Sequence, residues 1–459
     1  MEKDTAFLGE EKIGKLIFKL SLPAITAQLV NMFYNLVDRI YIGHIPEVGP
    51  LALTGVGVCM PIIMIITAFA AFVSMGSAPR ASIYMGKGDN KTAEKILGNS
   101  FVLLLIISTI LTFVVYIWQK DLLMLFGASE NTIGYSISYM GIYVIGTIFV
   151  QLTVGLNAFI SAQGFAKTSM YSVLIGAVCN TILDPIFIFG LNMGVAGAAL
   201  ATVLSQAISA VWVMYFLCGK KTILKLKKEN CRIEVKVILP CIALGLAPFI
   251  MYATESLIAV CFNASLLKYG GDIAVGAMTI LTSVMQFSML PLLGLTQGTQ
   301  PIISYNFGAK NVQRVKEAFF ILLKCSVIFS ASLWLFIMLF PQWFAGIFTS
   351  DASLIQFTSD AMRIYFSVSL VFGVQVACQQ TFIAIGDAKT SLFLAPLRKV
   401  ILLIPLIYIL PLIFTNQTMA IYLAEPIADI IAVTVTGTMF VVQFRKTLKS
   451  LIDPKSNQD

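Results

Sequence analysis

The chain has 459 residues, of which 58% are hydrophobic and only 12% are charged. Soluble domains carry roughly 25% charged residues, so the composition excludes a soluble enzyme, a disordered chain and a nucleic-acid-binding protein. The formal charge of +8 is informative in a membrane protein only through where along the chain the basic residues lie.

Twelve apolar segments are long enough to cross a bilayer, which takes about 20 helical residues. In chain order the predicted spans are 16–42, 52–77, 95–117, 133–156, 168–189, 195–217, 237–263, 274–298, 317–340, 358–383, 391–414 and 418–443. We therefore predict an all-α integral membrane protein with twelve transmembrane helices. A basic stretch in the middle of the chain separates six spans from the other six.

The basic residues indicate the orientation of the chain. With the N-terminus inside, most of the 31 basic residues fall in inner segments, and the outer loops hold Lys120 and Lys268. Lys and Arg are retained in cytoplasmic loops, so we expect a multi-pass plasma-membrane protein with both termini in the cytoplasm. The basic stretch at 219–236 is expected to be a cytoplasmic linker near anionic lipid headgroups, with nucleotide or partner binding as the alternative.

One motif recurs after 222 residues. Residues 164–169 read GFAKTS and residues 386–391 read GDAKTS, and Pro79, Ser82 and Gly86 recur at the same offset as Pro301, Ser304 and Gly308. The repeat predicts two pseudo-symmetric six-helix lobes, an N-lobe at 1–218 and a C-lobe at 237–459. Parallel repeats of this kind are typical of carriers that work by alternating access.

Polar residues inside the spans are costly and are therefore functional candidates. One face of span 1 carries Gln28, Asn31, Asn35 and Asp38, since these residues are three or four apart. Similar depths are reached by Asn180 and Asp184 of span 5, Tyr139 of span 4, and Ala198 and Thr202 of span 6.

These oxygen-bearing residues suit a hard cation or a proton. We predict a cation-binding site at Asp38, Tyr139, Asn180, Asp184, Ala198 and Thr202, with Na⁺ possible at Asp38, Asn180, Asp184 and Thr202. The alternative is a structural one, in which an aspartate caps freed backbone or pairs with Arg39.

The second half offers Glu255 in span 7 and Glu425 and Asp429 in span 12. Arg398 and Lys399 of span 11 are possible counter-charges for Asp429, so a structural ion pair is one interpretation. No basic neighbour of Glu255 is evident, and we treat it as a second protonatable site. The predicted substrate cavity takes in Gln28, Asn31 and Asn35, together with Met285 and Met289, because methionine side chains form adaptable apolar surfaces.

The segments 23–28 (PAITAQ) and 35–43 (NLVDRIYIG), with the Pro79 and Pro301 repeat motifs, resemble the MATE (multidrug and toxic compound extrusion) transporters. The resemblance is to their bacterial DinF-like and MepA-like branch. It implies two lobes in a V that open alternately to each side, and export of cationic lipophilic compounds driven by Na⁺ or H⁺.

The family's N-lobe cation site has residue types that Asp38, Tyr139, Asn180, Asp184, Ala198 and Thr202 match one by one. Members similar to NorM instead use a C-lobe site with a Glu in span 7 and an Asp in span 10. This chain has Glu255, but Gln375 and Gln379 stand where that Asp would be sought. The departure favours the N-lobe as the coupling site.

The sequence therefore predicts a multidrug efflux antiporter coupled to H⁺ or Na⁺, with no cofactor and no enzymatic activity. We expect a monomer that meets cationic drugs or metabolites and membrane lipids, and no nucleic acid. The first alternative is a lipid-linked oligosaccharide flippase, which needs a cationic cleft that only Arg398 and Lys399 could supply. A major-facilitator carrier lacks support because residues 86–91 read GKGDNK in place of a basic Gly-Asp-Arg loop.

Overall fold

The computed structural model describes residues 6–452, and these residues form helices joined by short turns. The membrane helices are α1 (Ile13–Gly43), α2 (Gly49–Gly86), α3 (Asn90–Leu125), α4 (Ile133–Ile145 and Thr147–Ala162), α5 (Ala166–Gly190), α6 (Gly194–Cys218), α7 (235–270), α8 (272–308), α9 (Val312–Leu339), α10 (Ala352–Tyr365 and Ser369–Ala384), α11 (Ala388–Ile413) and α12 (Gln417–Ile452). Shorter helices cover Ala6–Glu10, Lys228–Asn230 and Pro341–Gly346.

The helices α7 and α8 follow each other with a single break. The continuous helical stretch Val235–Gly308 has 74 residues, which at 1.5 Å per residue is about 110 Å, several times the ~30 Å hydrocarbon core. Gly271 divides it with a φ of 65°, a backbone conformation that glycine adopts without steric cost. The stretch is therefore two spans, and the prediction of twelve transmembrane helices is confirmed.

Two of the twelve spans are bent. The two parts of α4 meet at Gly146 at 56°, and the two parts of α10 meet between Tyr365 and Ser369 at 50°. A Cβ at Gly146 would overlap the side chain of Val203 on α6. The bend in α4 therefore lies where a neighbouring helix comes close, and no proline in the sequence marks it.

The internal repeat is present in the packing as well as in the sequence. Ser82 Oγ donates to the carbonyl of Ala162 at 2.7 Å, and Ser304 Oγ donates to the carbonyl of Ala384 at 2.7 Å. Both partners of the second bond lie 222 residues after those of the first. The lobes α1–α6 and α7–α12 are thus pseudo-symmetric, as predicted.

The two lobes pack together at the end of the bundle that carries both termini. Backbones approach closely because glycines face the opposite lobe: a Cβ at Gly76 would overlap the carbonyl oxygen of Cys241, and a Cβ at Gly245 that of Phe72. The rings of Phe69 and Phe249 add a contact at 4.9 Å. The α2 contacts lie in its half nearer Gly86, so this seam joins the two lobes at one end of the bundle.

The beginning of α1 packs on the second lobe. Leu8, Ile13, Leu16, Ile17 and Leu20 share one buried core with residues of α8, α9, α10 and α12, among them Ile302, Phe319, Phe382 and Phe444. Arg314 donates to the carbonyls of Leu8 at 3.2 Å and Glu11 at 2.7 Å. The helix therefore starts against the second lobe and ends inside the first.

The basic linker at 219–236 is held against the first lobe. The buried side-chain oxygen of Gln163 accepts hydrogen bonds from the Thr222 hydroxyl and from the backbone N–H groups of Ile223 and Leu224, at 2.8–2.9 Å. Glu94 accepts from the Lys225 backbone at 3.2 Å and from Lys227 Nζ at 2.6 Å. The linker therefore has a defined path along the ends of α3 and α4.

Candidate functional site

The first lobe contains a buried cluster of acidic and amide side chains from α1, α5 and α6. Asn180 Nδ2 donates to Asp184 Oδ1 at 3.2 Å and to Thr202 Oγ1 at 3.4 Å. The carboxyls of Asp38 and Asp184 are close enough to interact directly, and both are buried, Asp184 completely. Four of the predicted site residues thus form one connected set.

The remaining two predicted site residues lie beside this set. Tyr139 of α4 is buried, and its side chain interacts with that of Thr202. Ala198 is buried one turn before Thr202 on α6. All six residues therefore lie together in the first lobe.

Three oxygens of the cluster are buried without a hydrogen-bond donor among the described residues: Asp38 Oδ1, Asn180 Oδ1 and Asp184 Oδ2. Buried polar atoms normally find a partner, so this concentration of unpaired acceptors fits a proton or a small hard cation. Within residues 6–452 no ion pair includes Asp38 or Asp184. The exposed Arg39 instead directs Nη2 toward Met60 Sδ at 3.6 Å.

The local backbone explains why α5 and α6 meet here. Asp184 precedes Pro185, after which the helix widens into a π-helical turn at Ile186–Gly190. A Cβ at Gly197 would overlap the backbone of Phe187 in that turn. The small residues at the start of α6 therefore allow it to pack against the turn, which brings Thr202 beside Asn180.

Two further residues join the cluster that the sequence analysis did not include. The Tyr34 side chain interacts with Gln206 and Asn35 and lies near both Asp38 and Asp184. Tyr34 is four residues before Asp38, and Gln206 is four residues after Thr202, so the helical spacing that selected the other residues could have identified both.

The polar row on α1 does not enter the site as a unit. Gln28 Nε2 donates to Gln297 Oε1 at 3.0 Å across the seam between the lobes. Asn31 and Asn35 are exposed, and Asn35 Nδ2 donates to the Asn31 carbonyl at 2.7 Å. The members of the row therefore have different surroundings, and Asp38 alone is buried in the cluster.

A second charged cluster occupies the second lobe. Arg398 of α11 pairs with Asp429 and, at 2.6 Å, with Glu425, both of α12. Its neighbour Lys399 pairs with Glu255 of α7. The expectation that Glu255 has no basic neighbour is therefore wrong: the two residues are far apart in the chain, but α7 and α11 lie side by side in the lobe.

The predicted cavity methionines lie near this second cluster. Met285 and Met289 of α8 line an apolar cavity whose wall also includes Phe329 and Phe372. The ring of Phe372 carries the Arg398 guanidinium 4.7 Å from its centroid. One aromatic ring thus separates an apolar cavity from a buried ion pair.

Comparisons with known proteins agree with this architecture. The MatE family model matches residues 23–186 and 247–409, once in each lobe. The multidrug export protein MepA of Staphylococcus haemolyticus is 24% identical over 439 residues, which is 95% of this chain and 94% of that protein.

Solved structures give the same result for the fold. A MATE structure in the bent conformation matches with a TM-score of 0.92 at 23% identity, covering 98% of this chain and 100% of that one. An outward-facing multidrug resistance MATE family transporter matches with a TM-score of 0.89 at 23% identity, covering 98% and 99% of the two chains. Since the family model matches more than half of the residues, the chain belongs to the MatE family and is a multi-pass membrane transporter of the MATE fold.

Proposed function

We propose that the chain exports cationic lipophilic compounds across the plasma membrane in exchange for H⁺ or Na⁺, by alternating access. The observation that carries this proposal is the buried pair Asp38 and Asp184, with unpaired oxygens and no ion pair among the described residues. Two carboxylates in a low-dielectric interior are costly unless a cation or a proton neutralises them.

The position of the two carboxylates suggests how ion binding could act on the fold. Asp38 lies near the end of α1 and Asp184 near the end of α5. An ion that both residues bind draws the two helices together, and loss of the ion leaves like charges facing each other. Coupling requires only that the ion and the substrate stabilise different states of the lobes.

The seam between the lobes supports the alternating-access part of the proposal. If the termini are cytoplasmic, as the distribution of basic residues predicts, the packed seam at that end corresponds to a state closed toward the cytoplasm. Ions from outside then reach the first-lobe cluster in this state. We propose a monomer as the working unit, since each lobe holds its cluster within one chain.

The proposed substrate class is inferred from the named relatives and from the charge of the first-lobe cluster. The Staphylococcus relatives are named multidrug export proteins, and the buried aspartates of the first lobe, which make no ion pair among the described residues, favour a positively charged substrate. The flippase alternative needs free basic groups for a pyrophosphate, whereas Arg398 and Lys399 are both paired with carboxylates. The structure therefore favours export of cations over transfer of lipid-linked sugars.

Reconstituted protein tests the proposal directly. Full-length protein in proteoliposomes would be supplied with ethidium as a probe cation, with Na⁺ and pH gradients imposed separately. We expect one of the two gradients to drive ethidium transport against its concentration, and empty liposomes to show none. Transport that ignores both gradients would overturn the proposed coupling.

A further inference from the structure

Arg398 is held in a pocket made by two carboxylates and an aromatic ring. Its Nη2 donates to Glu425 at 2.6 Å and its Nε to Asp429, while Phe372 covers the guanidinium face at 4.7 Å. The Arg398 side chain is only 11% exposed. Guanidinium and carboxylate groups form strong paired hydrogen bonds in this arrangement.

The pocket lies on the helices that correspond to those of the first-lobe cluster. Because the two halves repeat, α11 and α12 take the places of α5 and α6, which carry Asp184 and Thr202 in the first lobe. The helix α10 corresponds to α4, and Tyr365 stands 222 residues after Tyr143. Tyr365 is buried within electrostatic range of Glu425, Asp429 and Arg398.

The two clusters differ in what neutralises their carboxylates. In the first lobe Asp38 and Asp184 make no ion pair among the described residues. In the second lobe, Arg398 fills the space between the carboxylates, and the adjacent Lys399 interacts with them as well as with Glu255. Arg398 and Lys399 thus face three carboxylates, of which Glu255 is the exposed one, with its side chain 55% accessible.

We propose that Arg398 is a built-in cation that occupies the carboxylate pocket of the second lobe, and that removing its guanidinium opens a second site for a small monovalent cation. In the variant that lacks this guanidinium, Glu425 and Asp429 form the site. Its ligands are Na⁺ and the free guanidinium ion. In the native chain this lobe takes up no ion of its own, so the two lobes contribute unequally to ion binding.

The test compares wild type with Arg398→Ala in the purified full-length protein. We expect Arg398→Ala to bind one more ²²Na⁺ per chain than wild type, and to regain wild-type thermal stability in guanidinium at concentrations too low to denature wild type. Arg363→Ala, which removes an exposed arginine of α10 in the same lobe, should change neither quantity. A folded Arg398→Ala that binds no extra ion and gains nothing from guanidinium would overturn the proposal.

A second variant keeps the proposal testable if Arg398→Ala yields no folded protein. Arg398→Gln/Asp429→Asn leaves Glu425 as the one carboxylate of the pocket, and we expect it to bind an extra ²²Na⁺ more weakly. If this folded variant binds no extra ion, the proposal fails. Because each measurement counts ions in excess of wild type, the result does not depend on whether the first-lobe cluster binds an ion.

Discussion

Gly86 of α2 and Tyr305 of α8 bring the backbones of the two lobes into contact, since a Cβ at position 86 would overlap the Tyr305 carbonyl oxygen. The contact is repeated with the lobes exchanged, where Gly308 lies against the carbonyl of Ile83. Residues 83 and 305, like 86 and 308, differ by 222. The pseudo-two-fold axis therefore passes between these two contacts.

Replacing Gly86 or Gly308 by alanine should loosen the seam. Forcing a methyl group into a packed contact costs about 1–3 kcal/mol, so the equilibrium between closed and open states would shift toward open by about 5- to 150-fold. Cys241 is buried at the seam, and its rate of maleimide labelling, located by mass spectrometry, should rise by a similar factor.

The control for this experiment is Gly57→Ala on the same helix, where a Cβ would meet no atom within 4 Å. Its Cys241 labelling should equal that of wild type. Equal labelling in Gly86→Ala and wild type would show that backbone contact at this glycine does not hold the seam closed.

Asp38→Asn and Asp184→Asn should each abolish gradient-driven ethidium transport in proteoliposomes. An amide has nearly the shape of a carboxyl group but carries no charge and takes up no proton near neutral pH, so the ion loses its site. The exposed Asp121 at the end of α3 provides a matched control, and Asp121→Asn should transport normally. Either cluster variant retaining wild-type coupled transport would contradict the proposed site.

Tyr34→Phe should weaken ion binding without abolishing transport. The hydroxyl interacts with Gln206 and Asn35 beside the two aspartates, and a single hydrogen bond contributes about 0.5–1.5 kcal/mol. The ion concentration that gives half-maximal transport should therefore rise about 2- to 10-fold. The control is Tyr215→Phe at an exposed position of α6, which should leave this ion concentration unchanged. An unchanged ion concentration in Tyr34→Phe would show that the Tyr34 hydroxyl plays no part in ion binding.

Gln163→Leu should release the basic linker. The substitution removes the acceptor for the backbone N–H groups of Ile223 and Leu224 and one of the two acceptors of the Thr222 hydroxyl, and a buried donor that loses its acceptor costs about 1–3 kcal/mol. Trypsin should then cleave after Lys225 and Lys227 much faster than in wild type. The exposed Gln342→Leu serves as the control, and unchanged cleavage in Gln163→Leu would contradict this role.

The spans and the repeat could be predicted because they depend on patterns within the chain. A run of apolar residues and a motif that recurs after 222 positions need no knowledge of neighbours in space. The grouping of Asp38, Asn180 and Asp184 was accessible for a similar reason, since their depths follow from counting residues along the helices.

The features that sequence analysis did not predict depend on contacts between distant parts of the chain. Lys399 and Glu255 are 144 residues apart, and their pairing requires the order in which helices pack around the lobe. The bend at Gly146 reflects the approach of Val203, which local sequence does not reveal. The packing of Leu8 and Leu16 on the second lobe was likewise missed, because the repeat assigns α1 to the first.

The start of α1 also sets an order of events during synthesis. Its partners Ile302 and Phe319 are made almost 300 residues later, which takes roughly 15–60 s at typical rates of translation. During that interval the apolar residues from Leu8 to Leu20 lack their partners in the second lobe. This part of the chain therefore reaches its native packing only after α8 and α9 have been synthesised.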